Sequence, residues 1–177
     1  MFAILKKEFK SYFLSPIGYV VIGIFLFVFS VFFYLTVINS PTVDLGALYY
    51  YTALYGLIII APILTMRMFA EERKSGTEQL ILTSPVSMVG VVFGKFIAAM
   101  CVIILTLLVS FMYFFIVKFF GEPNLSAVLV HMLGFILVSA AAISIGMFAS
   151  SITENQIIAG IITIAFLVMT LFMQDLN

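Results

Sequence analysis

"IGYVVIGIFLFVFSVFFYLTVI" (Ile17–Ile38) holds no acidic or basic side chain. A helix rises about 1.5 Å per residue, so roughly 20 apolar residues suffice to cross the hydrocarbon core of a bilayer. Comparable runs follow at about Leu45–Met66, Phe96–Val117, Ser126–Ala149 and Ile157–Met173, the last only just long enough. The expected fold is therefore all-α: a polytopic membrane bundle of five spans, forming one domain over residues 1–177. Composition agrees. The chain is 64% hydrophobic with a mean hydropathy of +1.29, against an apolar share of about 45–50% in soluble domains. Its net charge is zero, so there is no basic surface to neutralise the phosphates of a nucleic acid. The lone Cys101 sits in an apolar run, which leaves no disulfide framework; it reads as a small buried hydrophobe.

Ahead of the first span, "MFAILKKEFKSYFLS" (1–15) is amphipathic. Phe2, Leu5, Phe9, Tyr12 and Phe13 fall on one helical face, with Lys6, Lys7 and Lys10 on the flank beside it. This suits a helix in the membrane interface whose lysines snorkel to the headgroups. A cleaved signal peptide fits less well, because the following apolar run is too long and no small-residue cleavage site closes it. Tyr49, Tyr50 and Tyr51 suit an aromatic interface belt. With the N-terminus inside, Lys6, Lys7, Lys10, Arg67, Arg73, Lys74 and Lys95 gather on the inner side and only Lys118 on the outer. The positive-inside rule thus places the N-terminus and residues 67–95 in the cytoplasm of a cell-membrane protein. The loops "NSPTVDLG" and "KFFGEPNL" then face out, and "SSITENQ" faces in. Five spans leave the final "MQDLN" outside.

Between the second and third spans, "MRMFAEERKSGTEQLILTSPVS" (Met66–Ser87) concentrates charge in a chain with only 9% charged residues. Ser75 and Glu78 form an S-x-x-E capping box, and Gly76 allows the chain to turn. The helix this box would start runs only from about Gly76 to Thr83, because Pro85 pushes Ser84 to extended geometry. Ser84 can then cap a further helix with Pro85 at its first position, and the same Ser-Pro pair stands at Ser15-Pro16 before the first span. Leu80, Ile81 and Leu82 need cover from lipid, the bundle or a partner's groove. Glu71, Glu72 and Glu78 read most simply as a solvated face.

Elsewhere, catalytic chemistry is not evident. His131, in the outer half of the fourth span, reads as a structural or interfacial histidine more readily than as a ligand or proton relay. The sequence has no HExxH, CxxC or paired intramembrane carboxylates. "GVVFGKF" (90–96) lacks the spacing of a phosphate loop and the Ser or Thr that would follow its lysine. In the fourth span, Ala142, Gly146 and Ser150 recur every four residues, with Ser139 and Ala149 on the same side. Small residues at that spacing let helices approach closely in lipid, as a seam within the subunit or at a subunit interface.

The segment 66–87 resembles the loop between the second and third spans of ABC-2-type transporter permeases: an acidic-basic cluster, then G-T-x-E-x-L-L, then a proline. Glu71, Glu72, Arg73, Lys74, Gly76, Thr77, Glu78, Leu80, Leu82 and Pro85 stand at the corresponding places, with Ile81 taking one aliphatic position. "ILKKEFKSYFLSPIGYV" is similar to the start of the gliding-motility-associated and nitrous-oxide-maturation branch of that family. The resemblance implies a permease whose short cytoplasmic coupling helix docks into a separate ATPase subunit. ATP is then bound by that partner and by no site in this chain, and a second permease subunit completes an exporter in the inner membrane. The family usually has six spans, so a sixth is expected to have been lost or to lie beyond this chain. Two other readings remain open: a membrane scaffold that recruits a cytoplasmic partner without transport, and an intramembrane enzyme. The spans offer the enzyme reading mostly Ser, Thr and Tyr hydroxyls.

Overall fold

A computed structural model describes residues 2–39, 45–77, 87–120 and 124–175, and every regular element among them is helical. The interfacial helix, Phe2–Leu14, is followed by the first span, Ile17–Phe33, which ends in a π-helical turn, Tyr34–Ile38. The second span is built from Leu45–Tyr51, a π-helical turn Thr52–Gly56, and Leu57–Thr65, and leads through a turn into the short helix Ala70–Lys74. The third runs over Met88–Ser110 and, past a break at Phe111, Met112–Phe120. The fourth is Leu125–Ile152 and the last helix is Gln156–Asp175. Among the described residues, four helices are long and apolar enough to cross a membrane; the apolar stretch Gln156–Phe172 of the last helix is shorter. The chain is thus a polytopic helical membrane bundle.

The first span shows how the bundle is assembled. Its inward stripe, Val21, Phe25, Phe29 and Phe33, repeats every four residues and is buried. Phe25 meets Phe135 of the fourth span edge-on with centroids 5.6 Å apart, and Phe29 meets Tyr49 of the second and Tyr113 of the third. Aromatic pairs favour such T-shaped contacts. The second span is the most enclosed, touching the first, fourth and last helices. Pro62 lies inside it and removes one backbone donor. A bundle whose neighbours shield the freed carbonyl tolerates this.

One boundary differs from the sequence reading. The third helix begins at Met88, well before Phe96, with the Ser87 hydroxyl accepting the Gly90 N–H at 3.3 Å as its cap. "MVGVVFG" is apolar and unbroken, so once capped it continues into the span, and Lys95 falls inside a helix instead of in a loop. "GVVFGKF" is accordingly helical, and Gly94 is its contact point with the interfacial helix. A Cβ there would stand 3.1 Å from the Ile4 Cγ2. Glu78, Leu80, Leu82 and Pro85, the helix expected over Gly76–Thr83 and the Ser84-Pro85 cap lie outside the described residues.

Candidate functional site

The charged segment and the interfacial helix meet at one end of the bundle. Below Thr65 the second span loosens into a turn, and the short helix Ala70–Lys74 starts without a capping side chain of its own. The cap comes from the fourth span. The buried Ser150 hydroxyl accepts from the Phe69 N–H at 3.1 Å and the Ala70 N–H at 3.2 Å, and donates to the Met66 carbonyl at 3.3 Å. A hydroxyl with one donor and two acceptor sites is fully used by this arrangement. One helical turn above, Gly146 lies against Thr65, where a Cβ would come within 2.8 Å of the threonine Cβ. Ala142 continues the stripe and is buried. The small-residue seam of the fourth span therefore lies against the second span and the turn below it.

Lys95 is the centre of the junction. Its side chain is 2% exposed, and its ammonium donates to the Met68 carbonyl at 2.7 Å, Glu72 Oε1 at 2.7 Å and Glu8 Oε1 at 3.3 Å. All three ammonium protons are thereby used, and the Phe69 ring lies 5.3 Å from the nitrogen. A lysine is carried this far from water only when it is paired and hydrogen-bonded. One cation thus ties the interfacial helix, the turn after the second span and the start of the third span. A further link is neutral: the Tyr12 hydroxyl donates to the Leu64 carbonyl at 3.1 Å. Burial, and then the nearby Glu8 charge, raises the Tyr12 phenol above its usual range, so it stays a donor.

Other residues of the segment face outward. Arg67 grips Glu71 through two parallel bonds, Nε to Oε2 and Nη2 to Oε1, each 2.8 Å. Both side chains are substantially exposed, so the pair orders the surface more than it stabilises it. Lys74 ends the short helix in the open. Gly76 follows with φ of +71°, the left-handed conformation that terminates helices and that glycine adopts without penalty. Ser75 and Thr77 fold back, their hydroxyls donating to the Glu72 carbonyl at 3.2 and 3.3 Å. Within the described residues the Ser75 hydroxyl thus serves the end of the preceding helix. A polar cleft of about 210 Å³ opens between the interfacial helix and this segment, with Glu8, Tyr12, Arg67, Glu72 and Lys95 in its walls. An apolar groove of about 540 Å³ lies on the other side, with Arg73 and Phe69 beside Phe93 and Phe148.

The structure brings Glu72 into the junction instead of leaving it on a solvated face, and places Glu71 on the surface with Arg67. Lys95, Glu8 and Tyr12 were missed by sequence reasoning. A solitary lysine with apolar residues on both sides was the available signal. Its two carboxylate partners are 23 and 87 residues away, beyond any local pattern. His131 stacks on Tyr49 with centroids 6.4 Å apart, and no cluster of three His, Cys, Asp or Glu able to hold a metal occurs among the described residues.

No curated protein and no solved structure matches the chain. A family model, described as ABC-2 family transporter protein, matches residues 50–176. The match takes in most of the second span, the charged segment and the later helices. A multi-pass helical bundle whose charged segment and later spans fit that family is a membrane component of a transporter: the chain belongs to the ABC-2 family of transporter proteins.

Proposed function

We propose that the chain is one membrane-spanning subunit of an ATP-driven ABC-2 exporter, and that residues 67–95 receive a separate cytoplasmic ATPase. On this reading ATP is bound and hydrolysed entirely by that partner, a second permease subunit completes the transporter, and the complex sits in the inner membrane. The lysine-rich end is cytoplasmic, as the positive-inside rule directs. Glu71, Glu72, Arg73, Lys74, Gly76 and Thr77, with Glu78, Leu80, Leu82 and Pro85, form the docking segment. The start of the chain supports a place in the gliding-motility-associated and nitrous-oxide-maturation branch.

The observation that carries the reading is the Lys95 junction. A push on the short helix Ala70–Lys74 displaces Met68 and Glu72, and their bonds to one ammonium draw the interfacial helix and the third span along. Ser150 couples the same turn to the fourth span. Movement imposed at the membrane surface thus reaches the spans through short polar links, which suits a transporter more than a passive anchor. The test is co-purification with the ATPase, then Glu78→Lys and Gly76→Pro. Docking and stimulated ATP hydrolysis are expected to fall in both variants, and survival of both activities in both variants would overturn the assignment.

A further inference from the structure

Neither proline nor glycine occurs between Lys95 and Phe120, yet the third span breaks at Phe111. The local bonding supplies the cause. Leu107 offers one carbonyl to two donors, the Phe111 N–H at 3.1 Å and the Ser110 hydroxyl at 2.8 Å. A serine side chain inserted into the helical ladder in this way bends a helix. The Phe114 N–H then bonds to the Phe111 carbonyl, only three residues back, at 3.1 Å, a tighter turn than the α-helical one. Past this point Met112–Phe120 runs on as a separate arm.

Little fastens the arm to the bundle. Among the described residues, only the helix it continues packs closely along it. Tyr113 and Val117, one turn apart, form its inward face, while Met112, Phe115, Ile116 and Phe119 are exposed. The Tyr113 ring stands edge-on to Phe29 and Phe33 of the first span, with centroids 5.1 and 5.0 Å away. Its hydroxyl is hydrogen-bonded to Ser30. The single Ser30 proton goes to the Leu26 carbonyl at 2.6 Å, so Tyr113 is the donor. This is the arm's one polar link to another helix among the described residues. Both neighbouring spans are irregular around the same cluster. The first turns π-helical at Tyr34, directly after Phe33, and the second at Thr52–Gly56, where Gly56 lies against Val28. Such turns recur at functional positions.

We infer that Phe111 is a hinge and that the Tyr113–Ser30 bond is the latch holding the arm against the first span. When the latch opens, the arm swings and parts the outer ends of the first and third spans. The Met88–Ser110 helix and the Lys95 junction stay in place. This joint goes beyond the transporter reading and does not depend on it.

The test replaces Cys101 by Ser in the full chain, purified in detergent, and introduces Val117→Cys or Val102→Cys. Val117 is buried on the arm and Val102 is buried before the hinge. The rate of reaction with a small maleimide then tracks the open fraction at each position when opening and closing are fast. Tyr113→Phe removes the latch hydroxyl and keeps the ring. It is expected to speed labelling at 117 by about fivefold, the worth of one net hydrogen bond, and to leave labelling at 102 unchanged. Ser110→Ala frees the Leu107 carbonyl and is expected to slow labelling at 117 by about twofold. A Tyr113→Phe chain labelled at the parent rate at 117 overturns the latch. Equal acceleration at 117 and 102 shows a bundle loosened as a whole and overturns the hinge, as does unchanged or faster labelling at 117 in Ser110→Ala. The measurement uses no ATPase, so its failure leaves the proposed function standing.

Discussion

Lys95→Met removes the ammonium but keeps the apolar stem, leaving Glu8 and Glu72 facing an unpaired site. At an effective dielectric of about 20, unit charges 2.7 Å apart attract by about 6 kcal/mol and those 3.3 Å apart by about 5 kcal/mol. Desolvation of the lysine and partial desolvation of the carboxylates offset most of that sum. Measured losses on breaking buried pairs are therefore about 3–5 kcal/mol. The carboxylates keep 16% and 17% of their exposure and can regain water, which puts the expected loss near the lower end, about 3 kcal/mol. At about 2–4 °C per kcal/mol for a chain of this size, Tm should fall by about 6–12 °C. The chain has no tryptophan and one cysteine, so a dye that fluoresces on reacting with Cys101 as the bundle opens gives the melting curve in detergent. Adding Glu8→Gln and Glu72→Gln to Lys95→Met removes the stranded charges and should restore most of the lost stability. A single variant that melts within about 1 °C of the parent would refute the claim that this ammonium holds three elements together.

Ser150→Ala strips the cap from two backbone N–H groups and should cost about 1–2 kcal/mol, seen in the same melting assay. Gly146→Val drives new methyl groups into Thr65 and should destabilise by about 1–3 kcal/mol; Thr65→Ala in the same chain should return part of that loss, which a double-mutant cycle measures. Gly76→Ala forces a side chain into the left-handed region and should cost about 1 kcal/mol, with earlier proteolysis at this turn as the readout.

The fold was legible because bilayer thickness imposes a length on every apolar run, and the five expected segments correspond to the helices found. Helix ends were less legible. The third begins at Met88 because Ser87 caps it and apolar residues carry it onward; the sequence reading stopped at Lys95, treating its charge as a marker of water. That same assumption hid the junction. Lysine at a span end normally snorkels, and only the tertiary arrangement places Glu8 and Glu72 within reach of this one. The Ala142, Gly146 and Ser150 stripe was visible through its spacing, but its partner was not, since small residues show that something approaches closely without saying what. Ser150 has a second role, capping a helix 80 residues away, that spacing could not reveal. The turn at Gly76 was readable because glycine is the residue that adopts positive φ cheaply.

The central claim is that the Lys95 junction transmits motion from the ATPase to the spans, and the neutral variant Lys95→Met/Glu8→Gln/Glu72→Gln separates transmission from folding. The measurement is ATP hydrolysis by the co-purified complex in vesicles, compared with the ATPase alone. We predict that the variant binds the ATPase and melts close to the parent, while stimulation of hydrolysis by the membrane subunit drops to the level of the free ATPase. Full stimulation in a stable, correctly assembled variant would contradict the account.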